Sequence, residues 1–268
     1  MVKNEGDRLE RVLVCSPMTE YFSVDSAEKH NIFEIADMAT AVKQHEALKN
    51  TIKNFGAKII NIEEMPGHPN SVFTRDMAIS TPHGYIKPRM GIRTRRGEED
   101  WIAKFLDDMG VSCVGRIEEP GTVEGGDVVI AGHVAFVGLT QRTNFDGVIQ
   151  ISELLEKMEY EVRPIVLPSF CLHLDQVLGI LGPEMIICCT HLFTDDYFKG
   201  FEVIHVACRN HNVNLICLGE SEIIAPAENP ELIHITRQAG IHVHEVELSE
   251  FAKGAGGPNC LILPIKRG

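Results

Sequence analysis

The feature that most constrains this fold is a regular alternation of extended and helical patterns along the whole chain. Strands are predicted at 11–15 and 58–62, on either side of a long amphipathic helix at 33–54 that Gly56 ends. The later elements are a strand pair at 72–80 and 85–87, a helix at 98–109, a second pair at 128–130 and 134–138, and a helix at 146–160. Modules of strand, hairpin, helix and strand, each about 50 residues long, therefore recur.

Recurring modules of this kind favour an α/β architecture repeated around an axis. No low-complexity linker divides the chain, so we expect a single domain over residues 1–268. The competing arrangement is a doubly wound parallel sheet. Its dinucleotide-binding form requires a GxGxxG turn after the first strand, and none is present there.

Charge and hydropathy narrow the class of partner. The formal net charge is -13, which excludes a nucleic-acid backbone as the main partner and permits a cationic small molecule. No run approaches the roughly 18 apolar residues that a membrane span needs, and the charged start of the chain does not resemble a signal peptide. Cysteines placed mostly inside apolar runs predict a reducing compartment, so we expect a cytoplasmic protein. The sequence leaves a homo-oligomer open.

The cysteine pattern predicts no metal site. No CxxC pair is present, and Cys188 and Cys189 are adjacent, which suits tetrahedral zinc poorly. A set at His205, Cys208 and His211 has helical spacing but no evident fourth ligand. Cys260 differs from the other cysteines because it follows the flexible polar stretch KGAGGPN.

Four polar clusters interrupt the apolar runs, each at a predicted strand edge or loop where functional groups concentrate. Taken singly, each has a simpler explanation: a surface salt bridge to Arg75, a glycine turn with positive φ, a histidine on a core face, or one more buried thiol. The clusters are FTRD with Asp76, EGGD with Glu124 and Asp127, LHLD with His173 and Asp175, and GGPNC with Cys260.

Together the clusters indicate cysteine chemistry on a cation. A nucleophilic Cys260 needs help to ionise, because a free thiol has a pKa of about 8.5, and His173 is a candidate base with Glu124 as its orienting acid. Two further carboxylates, Asp76 and Asp175, would raise the pKa of the thiol unless the substrate were positively charged. A planar guanidinium, which two carboxylates can grip through its forked N–H groups, meets that requirement.

In order along the chain, the motifs PNSVFTRD, RTRRGE, EGGDVV, VGLTQRTN, LHLDQVL and GGPNCLILPI resemble those of the guanidino-group-modifying enzymes. These enzymes form the pentein superfamily, and the resemblance runs from about residue 70 to residue 263. It implies a five-bladed α/β propeller with pseudo-fivefold symmetry, which agrees with the alternation described above.

The resemblance also implies roles for individual residues. Cys260 would attack the guanidinium carbon and form a covalent thiouronium intermediate, while His173 would protonate the departing amine and then activate water. Glu124 would be the acidic partner of His173. By the same resemblance, Asp76 and Asp175 would hold the guanidinium nitrogens, Arg95 and Arg142 the substrate α-carboxylate, and Asn70 would contact the substrate. No metal or organic cofactor is implied.

Within this superfamily the sequence is a mosaic. FTRD, and LHLD with its second carboxylate, are similar to arginine deiminases and compact arginine dihydrolases, which favours arginine as substrate and citrulline or ornithine with ammonia as products. The short chain is similar in size to the dimethylarginine dimethylaminohydrolases, which leaves methylarginine hydrolysis as the alternative. Amidino transfer is a third reading. A non-catalytic binding protein of the same fold is disfavoured by the complete set of Cys, His and carboxylates.

Overall fold

The computed structural model describes residues 1–208 and 212–268, and within these ranges fifteen strands form five three-stranded sheets. The strands are β1 Leu9–Cys15, β2 Lys58–Ile62, β3 Ile79–Thr81, β4 Gly84–Lys87, β5 Cys113–Arg116, β6 Val128–Ala131, β7 Val134–Leu139, β8 Glu161–Val166, β9 Leu178–Gly182, β10 Met185–Cys189, β11 Glu202–Val206, β12 Ile216–Gly219, β13 Glu222–Pro226, β14 His242–Val246 and β15 Leu263–Arg267. The α-helices are α1 Met38–Phe55, α2 Glu98–Asp108, α3 Phe145–Glu156, α4 Pro230–Gln238 and α5 Ser249–Ala252.

Every sheet has the same connectivity. Its first two strands pair antiparallel, and the third lies parallel to the middle one: β6 pairs antiparallel with β7, and β7 pairs parallel with β8. The two ends of the chain share a sheet, in which β15 pairs antiparallel with β1 and β1 pairs parallel with β2. Five sheets of one topology, one of them closed by both ends of the chain, form the predicted five-bladed α/β propeller, and the doubly wound sheet is excluded.

The first helix begins later than predicted. Residues 33–37 are not helical, because Asp37 is the N-cap and its side chain accepts a hydrogen bond from the Thr40 backbone N–H at 2.9 Å. The backbone N–H of Phe33 is instead bonded to the carbonyl of Lys253 at 2.7 Å. The helix ends as predicted at Gly56, whose φ of 105° is left-handed.

The predicted strand at 72–80 is mostly wrong. Residues 69–72 and 74–77 form short 3-10 turns, and the strand is confined to Ile79–Thr81. The carbonyls of Asn70 and Phe73 accept hydrogen bonds from Arg95 at 3.4 and 3.1 Å, so these backbone groups are satisfied without a strand partner. A similar short turn at Leu174–Gln176 includes the end of the LHLD motif.

Short 3-10 turns of this kind precede the first strand in four of the five blades. They carry the four polar clusters of the sequence to the same end of neighbouring blades. The turns are Thr74–Met77 before β3, Gly125–Asp127 before β6, Leu174–Gln176 before β9 and Asn259–Leu261 before β15.

The cysteines are not all free thiols. Cys189 and Cys208 form a disulfide, while Cys15, Cys171, Cys188, Cys217 and Cys260 are free and buried and Cys113 is free and exposed. Cys208 is therefore not available as a metal ligand, and His211 of the same sequence pattern lies outside the described residues. The cytoplasmic location inferred from buried free thiols stays a prediction. In the described ranges no helix combines the length and the apolar character needed to cross a membrane.

Candidate active site

A narrow cavity of about 20 Å³ lies where the polar turns meet. That volume is far below the roughly 300–1,000 Å³ typical of small-ligand pockets, so a ligand has to widen this cavity to enter it. A wider pocket of about 420 Å³ shares Asn31, Leu172, Ala255 and Gly256 with this cavity and extends to the exposed side chains of Phe33 and Phe170. The inner cavity is lined by Asn31, Asn70, Phe73, Asp76, Arg95, Arg142, Leu172, His173, Gly254, Ala255, Gly256 and Cys260.

Cys260 is held in the turn before β15 and is 4% exposed. Its Sγ accepts a hydrogen bond from Nδ2 of Asn214 at 3.4 Å. Burial, followed by the negative charges of Asp175 and Asp76, raises the pKa of the Cys260 thiol well above its usual range. The thiol is therefore protonated at neutral pH in the free protein.

The glycines before Cys260 allow close packing of this turn. A Cβ on Gly256 would lie 2.1 Å from the Phe73 ring, and one on Gly257 would lie 2.5 Å from Oδ1 of Asn214. Both glycines have φ outside the left-handed region, so steric space and not backbone freedom selects glycine here. A larger residue at either position would displace the nucleophile.

His173 and Glu124 form a buried pair. Nε2 of His173 lies 2.8 Å from Oε2 of Glu124, and the other carboxylate oxygen accepts from the backbone N–H of Gly91 at 2.9 Å. Gly126, in the same turn as Glu124, packs against the imidazole, because a Cβ there would lie 2.9 Å from His173. EGGD thus brings the carboxylate and the imidazole together, and neither glycine has positive φ.

Charge around His173 decides its protonation. Burial favours the neutral imidazole, but the charge of Asp76 and the hydrogen bond to Glu124 outweigh it and raise the pKa of His173 to about 9. Burial also opposes ionisation of Glu124, yet the hydrogen bond with His173 and the charge of Arg142 hold the pKa of that carboxyl below its usual range. His173 is therefore an imidazolium at neutral pH.

The sequence suggested His173 as the base that ionises Cys260. In the described residues the two side chains border one cavity without a hydrogen bond between them. An imidazolium beside a protonated thiol can donate a proton but cannot accept one. The geometry favours an acid role for His173 at the start of a reaction, and its role as base toward the thiol stays a prediction.

Asp76 faces the pair of His173 and Glu124 and is not bonded to Arg75. Its Oδ1 lies 3.7 Å from Nδ1 of His173 and accepts the backbone N–H of Gly126 at 3.1 Å. Its Oδ2 accepts from Arg95 at 2.6 Å. Arg75 is bonded to Glu5 at 2.8 Å, so a surface salt bridge between Asp76 and Arg75 is excluded.

The structure does not place Asp175 on the cavity that contains Cys260. It borders a second narrow cavity of about 10 Å³ with Asn259 and Arg267. Its Oδ2 accepts from Nδ2 of Asn259 at 3.0 Å, and its buried Oδ1 has no hydrogen-bond partner among the described residues. Burial raises the pKa of Asp175 to about 6.

The two predicted carboxylate-binding arginines are buried and already paired. Arg95 donates to Asp76 and, through Nε, to Glu98 at 2.8 Å. Arg142 donates to Glu124 at 3.2 Å. Both line the cavity, so a ligand there can reach them, but each also fixes an acid of the site.

Asn70 has one free hydrogen-bonding group. Its Nδ2 donates to the carbonyl of His30 at 3.0 Å, whereas its buried Oδ1 has no partner among the described residues. Because Asn70 lines the cavity, this oxygen is available to a ligand that carries N–H donors.

Sequence reasoning missed Asn214. It precedes β12, in a blade with no such turn before its first strand among the described residues, and it is 1% exposed. Its Oδ1 accepts from the backbone N–H of Asn259 at 2.8 Å, and its Nδ2 reaches both Cys260 and the carbonyl of Asp175. The available signal was positional, because the other four modules each place polar residues before their first strand.

Asp127 was noticed in EGGD but given no role. It accepts from Thr143 and Thr140 at 2.6 and 2.8 Å, and from the backbone N–H of Leu174 at 3.0 Å. Burial raises its pKa to about 7. Asp127 thus ties the turn that carries Glu124 to the turn that carries His173.

Comparisons with known proteins place the chain in a family context. A model of the family described as N,N dimethylarginine dimethylhydrolase, eukaryotic, matches residues 22–267. The N(G),N(G)-dimethylarginine dimethylaminohydrolase of Pseudomonas aeruginosa is 30% identical, over 85% of this chain and 89% of that protein. The arginine deiminase of Limosilactobacillus reuteri is 26% identical, over 82% of this chain and 68% of that protein. A solved structure of the P. aeruginosa enzyme, a mutant complexed with citrulline, has a TM-score of 0.84 at 27% identity and covers 96% of this chain and 99% of that one.

Proposed function

The chain belongs to the dimethylarginine dimethylaminohydrolase family of the pentein superfamily, hydrolases of amidine C–N bonds, and on that premise we propose that it hydrolyses the guanidino group of arginine as one catalytic domain. The observation that carries the proposal is the placement of Cys260, His173 and Asp76 around one narrow buried cavity. Two roles follow for these groups, recognition of a cation and nucleophilic attack upon it.

A guanidinium substrate would offset the negative charge that keeps the Cys260 thiol protonated. The thiol is protonated because it is buried near Asp76 and Asp175. A bound guanidinium cancels much of that negative charge and favours the thiolate, whose proton leaves to solvent. Substrate binding therefore activates Cys260, and an uncharged amide would not.

In the first half of the proposed reaction, the thiolate of Cys260 forms a C–S bond to the guanidinium carbon, giving a neutral tetrahedral adduct. His173 then transfers its proton to one nitrogen, the C–N bond breaks, and ammonia leaves. A cationic thiouronium remains on the enzyme, and His173 is neutral.

In the second half, water attacks the thiouronium carbon and His173 takes the proton from that water. The C–S bond breaks, and the proton on the new oxygen passes to the departing thiolate. Citrulline is released and the thiol is restored. Glu124 and Asp76 orient and charge-stabilise His173 in both halves, since they lie 2.8 and 3.7 Å from its two ring nitrogens.

We propose arginine rather than methylated arginine as the substrate because of a second carboxylate, Asp175. The unpaired oxygen of Asp175 is close enough for its charge to raise the pKa of Cys260. In the proposed complex one NH2 group of an unsubstituted guanidinium would face Asp76, on the cavity of Cys260, and the other would face Asp175, which borders the adjoining cavity in the free protein. Two methyl groups on one nitrogen would remove its donors and leave a buried charge unpaired, which costs several kcal/mol.

We assign the remaining residues from their positions on the cavity. Arg95 and Arg142 would attract the substrate α-carboxylate while holding Asp76 and Glu124. The free Oδ1 of Asn70 would accept an N–H of the substrate. Only small-molecule chemistry is proposed, without a metal or organic cofactor.

Dimethylarginine hydrolysis is the second candidate. It is favoured by the family match over residues 22–267 and by the P. aeruginosa relative of that name. The two candidates differ in the amine released, dimethylamine or ammonia, and the same Cys260 and His173 would act in both.

Incubation of the purified protein with arginine, monomethylarginine, asymmetric dimethylarginine and agmatine separates these candidates. Mass spectrometry of the products and an ammonia assay give the amine released and show whether hydrolysis stops at citrulline or continues to ornithine. We expect kcat/KM for arginine to exceed that for dimethylarginine by at least about 10-fold. Turnover of dimethylarginine alone would reverse the assignment.

Asn214 is proposed as a positioning residue for the nucleophile. Asn214→Ala removes the hydrogen bond to Sγ, and we expect kcat to fall about 10-fold with little change in KM. Asn214→Asp places a further charge beside the thiol, so the pH at which iodoacetamide alkylates Cys260 should rise. Alkylation rates against pH, measured for both variants and for the unmodified protein, give this value. An unchanged alkylation profile in Asn214→Asp would show that the residue does not act on the sulfur.

A further inference from the structure

The parallel strands β13 and β14 carry a second group of potential metal-ligating side chains that shares no residue with the candidate active site. Glu222 begins β13, and His242 and His244 lie on β14. One donor atom from each of the three lies within 4.8 Å of the other two. All three side chains are partly or fully exposed.

Sheet geometry holds these donors together. Glu222 and His242 are direct partners in the parallel pairing of β13 and β14. His244 is two residues beyond His242, so both imidazoles project from the same face, with ring centroids 4.7 Å apart. The backbone N–H of His242 donates to the carbonyl of Ser221 at 2.8 Å, which fixes the start of β14 beside Glu222.

A simple ion pair accounts for only part of this arrangement. Nε2 of His244 lies 2.6 Å from Oε2 of Glu222. The imidazole of His242 has no hydrogen-bond partner among the described residues, yet it lies against the ring of His244. Two imidazoles side by side repel each other when protonated and are stabilised when a cation lies between their nitrogens.

We propose that Glu222, His242 and His244 bind a divalent transition-metal ion, with Zn²⁺ as the first choice. Two imidazole nitrogens and one carboxylate oxygen are a common zinc donor set, with water completing the coordination. Nitrogen donors disfavour Mg²⁺ and Ca²⁺, which prefer oxygen. Cysteine spacing could not predict this group, which contains no cysteine, and Glu222 is distant in sequence from the HVH motif.

The active site contains another triad with suitable spacing, Asp76, Glu124 and His173. That triad is a poor cation site, because Arg95 is bonded to Asp76 at 2.6 Å and Arg142 to Glu124 at 3.2 Å. Two guanidinium groups already neutralise its carboxylates. In the group on β13 and β14, no arginine or lysine is bonded to Glu222 among the described residues.

Equilibrium dialysis of the full chain against Zn²⁺, with Co²⁺ absorption as a second readout, tests the site. Cys260→Ser is used as the parent, so that the active-site thiol cannot contribute. We expect one equivalent to bind at micromolar concentration. His242→Ala and His244→Ala should each weaken binding at least 10-fold, and Glu222→Gln by a smaller factor.

His234→Ala is the matched control, because His234 is an exposed histidine on the neighbouring helix α4 and is not part of the group. It should leave the affinity unchanged. Equal Zn²⁺ affinity in the parent and in the double variant His242→Ala, His244→Ala would overturn the proposal. Circular dichroism shows whether each variant is folded, and the outcome is independent of the enzyme's substrate.

Discussion

Replacement of Cys260 by Ser is expected to lower kcat by about four orders of magnitude or more, the largest effect of any substitution considered. A serine hydroxyl in the same position is a far weaker nucleophile, and a bound guanidinium cannot ionise it. The carboxylates of Asp76 and Asp175 are untouched, so arginine should still bind. Single-turnover assays give the rate, and isothermal titration calorimetry gives the affinity.

Cys113→Ser serves as the control for this experiment, since Cys113 is a free, exposed thiol outside the cavity. It should retain full activity. Citrulline formation by Cys260→Ser at the rate of the unmodified protein would remove this thiol from the mechanism. Loss of binding together with turnover would instead indicate that the cavity had collapsed.

Replacement of His173 by Asn should lower kcat by a factor of about 10² to 10⁴, the usual range for a general acid–base residue. Both halves of the reaction need the imidazole, first as acid and then as base. Because the variant lacks the acid for ammonia departure, little thiouronium should form, and intact-protein mass spectrometry should detect little adduct on Cys260. Accumulation of the thiouronium would instead limit His173 to the second half.

The pH dependence of kcat follows from the same residue. Because its pKa is raised to about 9, His173 carries the proton required for ammonia departure below that pH and loses it above. Activity should therefore fall as pH rises through about 9. Glu124→Gln removes a negative charge and a charge-assisted hydrogen bond, so this alkaline limb should move to lower pH. An unmoved limb in Glu124→Gln would mean that another group titrates there.

How far the sequence predicted the site depends on the range of the interactions involved. Strand Lys58–Ile62 and the end of α1 at Gly56 were predicted correctly, because their alternation and capping are local. The segment at 72–77 was predicted as strand but forms turns, because the carbonyl of Phe73 is satisfied by Arg95 from elsewhere in the chain. A local sequence pattern does not show hydrogen-bond partners that are distant in the chain.

For the candidate residues, the sequence predicted their identities but not their protonation. Motif order along the chain identified Cys260, His173 and Asp76, and the fold brings them to one cavity. Their protonation could not be read from sequence, because it depends on burial and on charges contributed by different blades. Asn214 was missed for a related reason, since an asparagine before a strand is unremarkable until its amide lies 3.4 Å from a buried sulfur.

The sequence by itself determined the repeated α/β modules, the kind of chemistry and the residue types that serve it, since periodicity and motif spacing are properties of neighbouring residues. Only the tertiary structure decided that Asp175 borders a separate cavity, that Arg95 and Arg142 are paired with acids, and that the pKa values of both His173 and Cys260 are raised. Electrostatic energies depend on distance and burial in three dimensions, and five blades that meet at one axis create distances that no local pattern specifies.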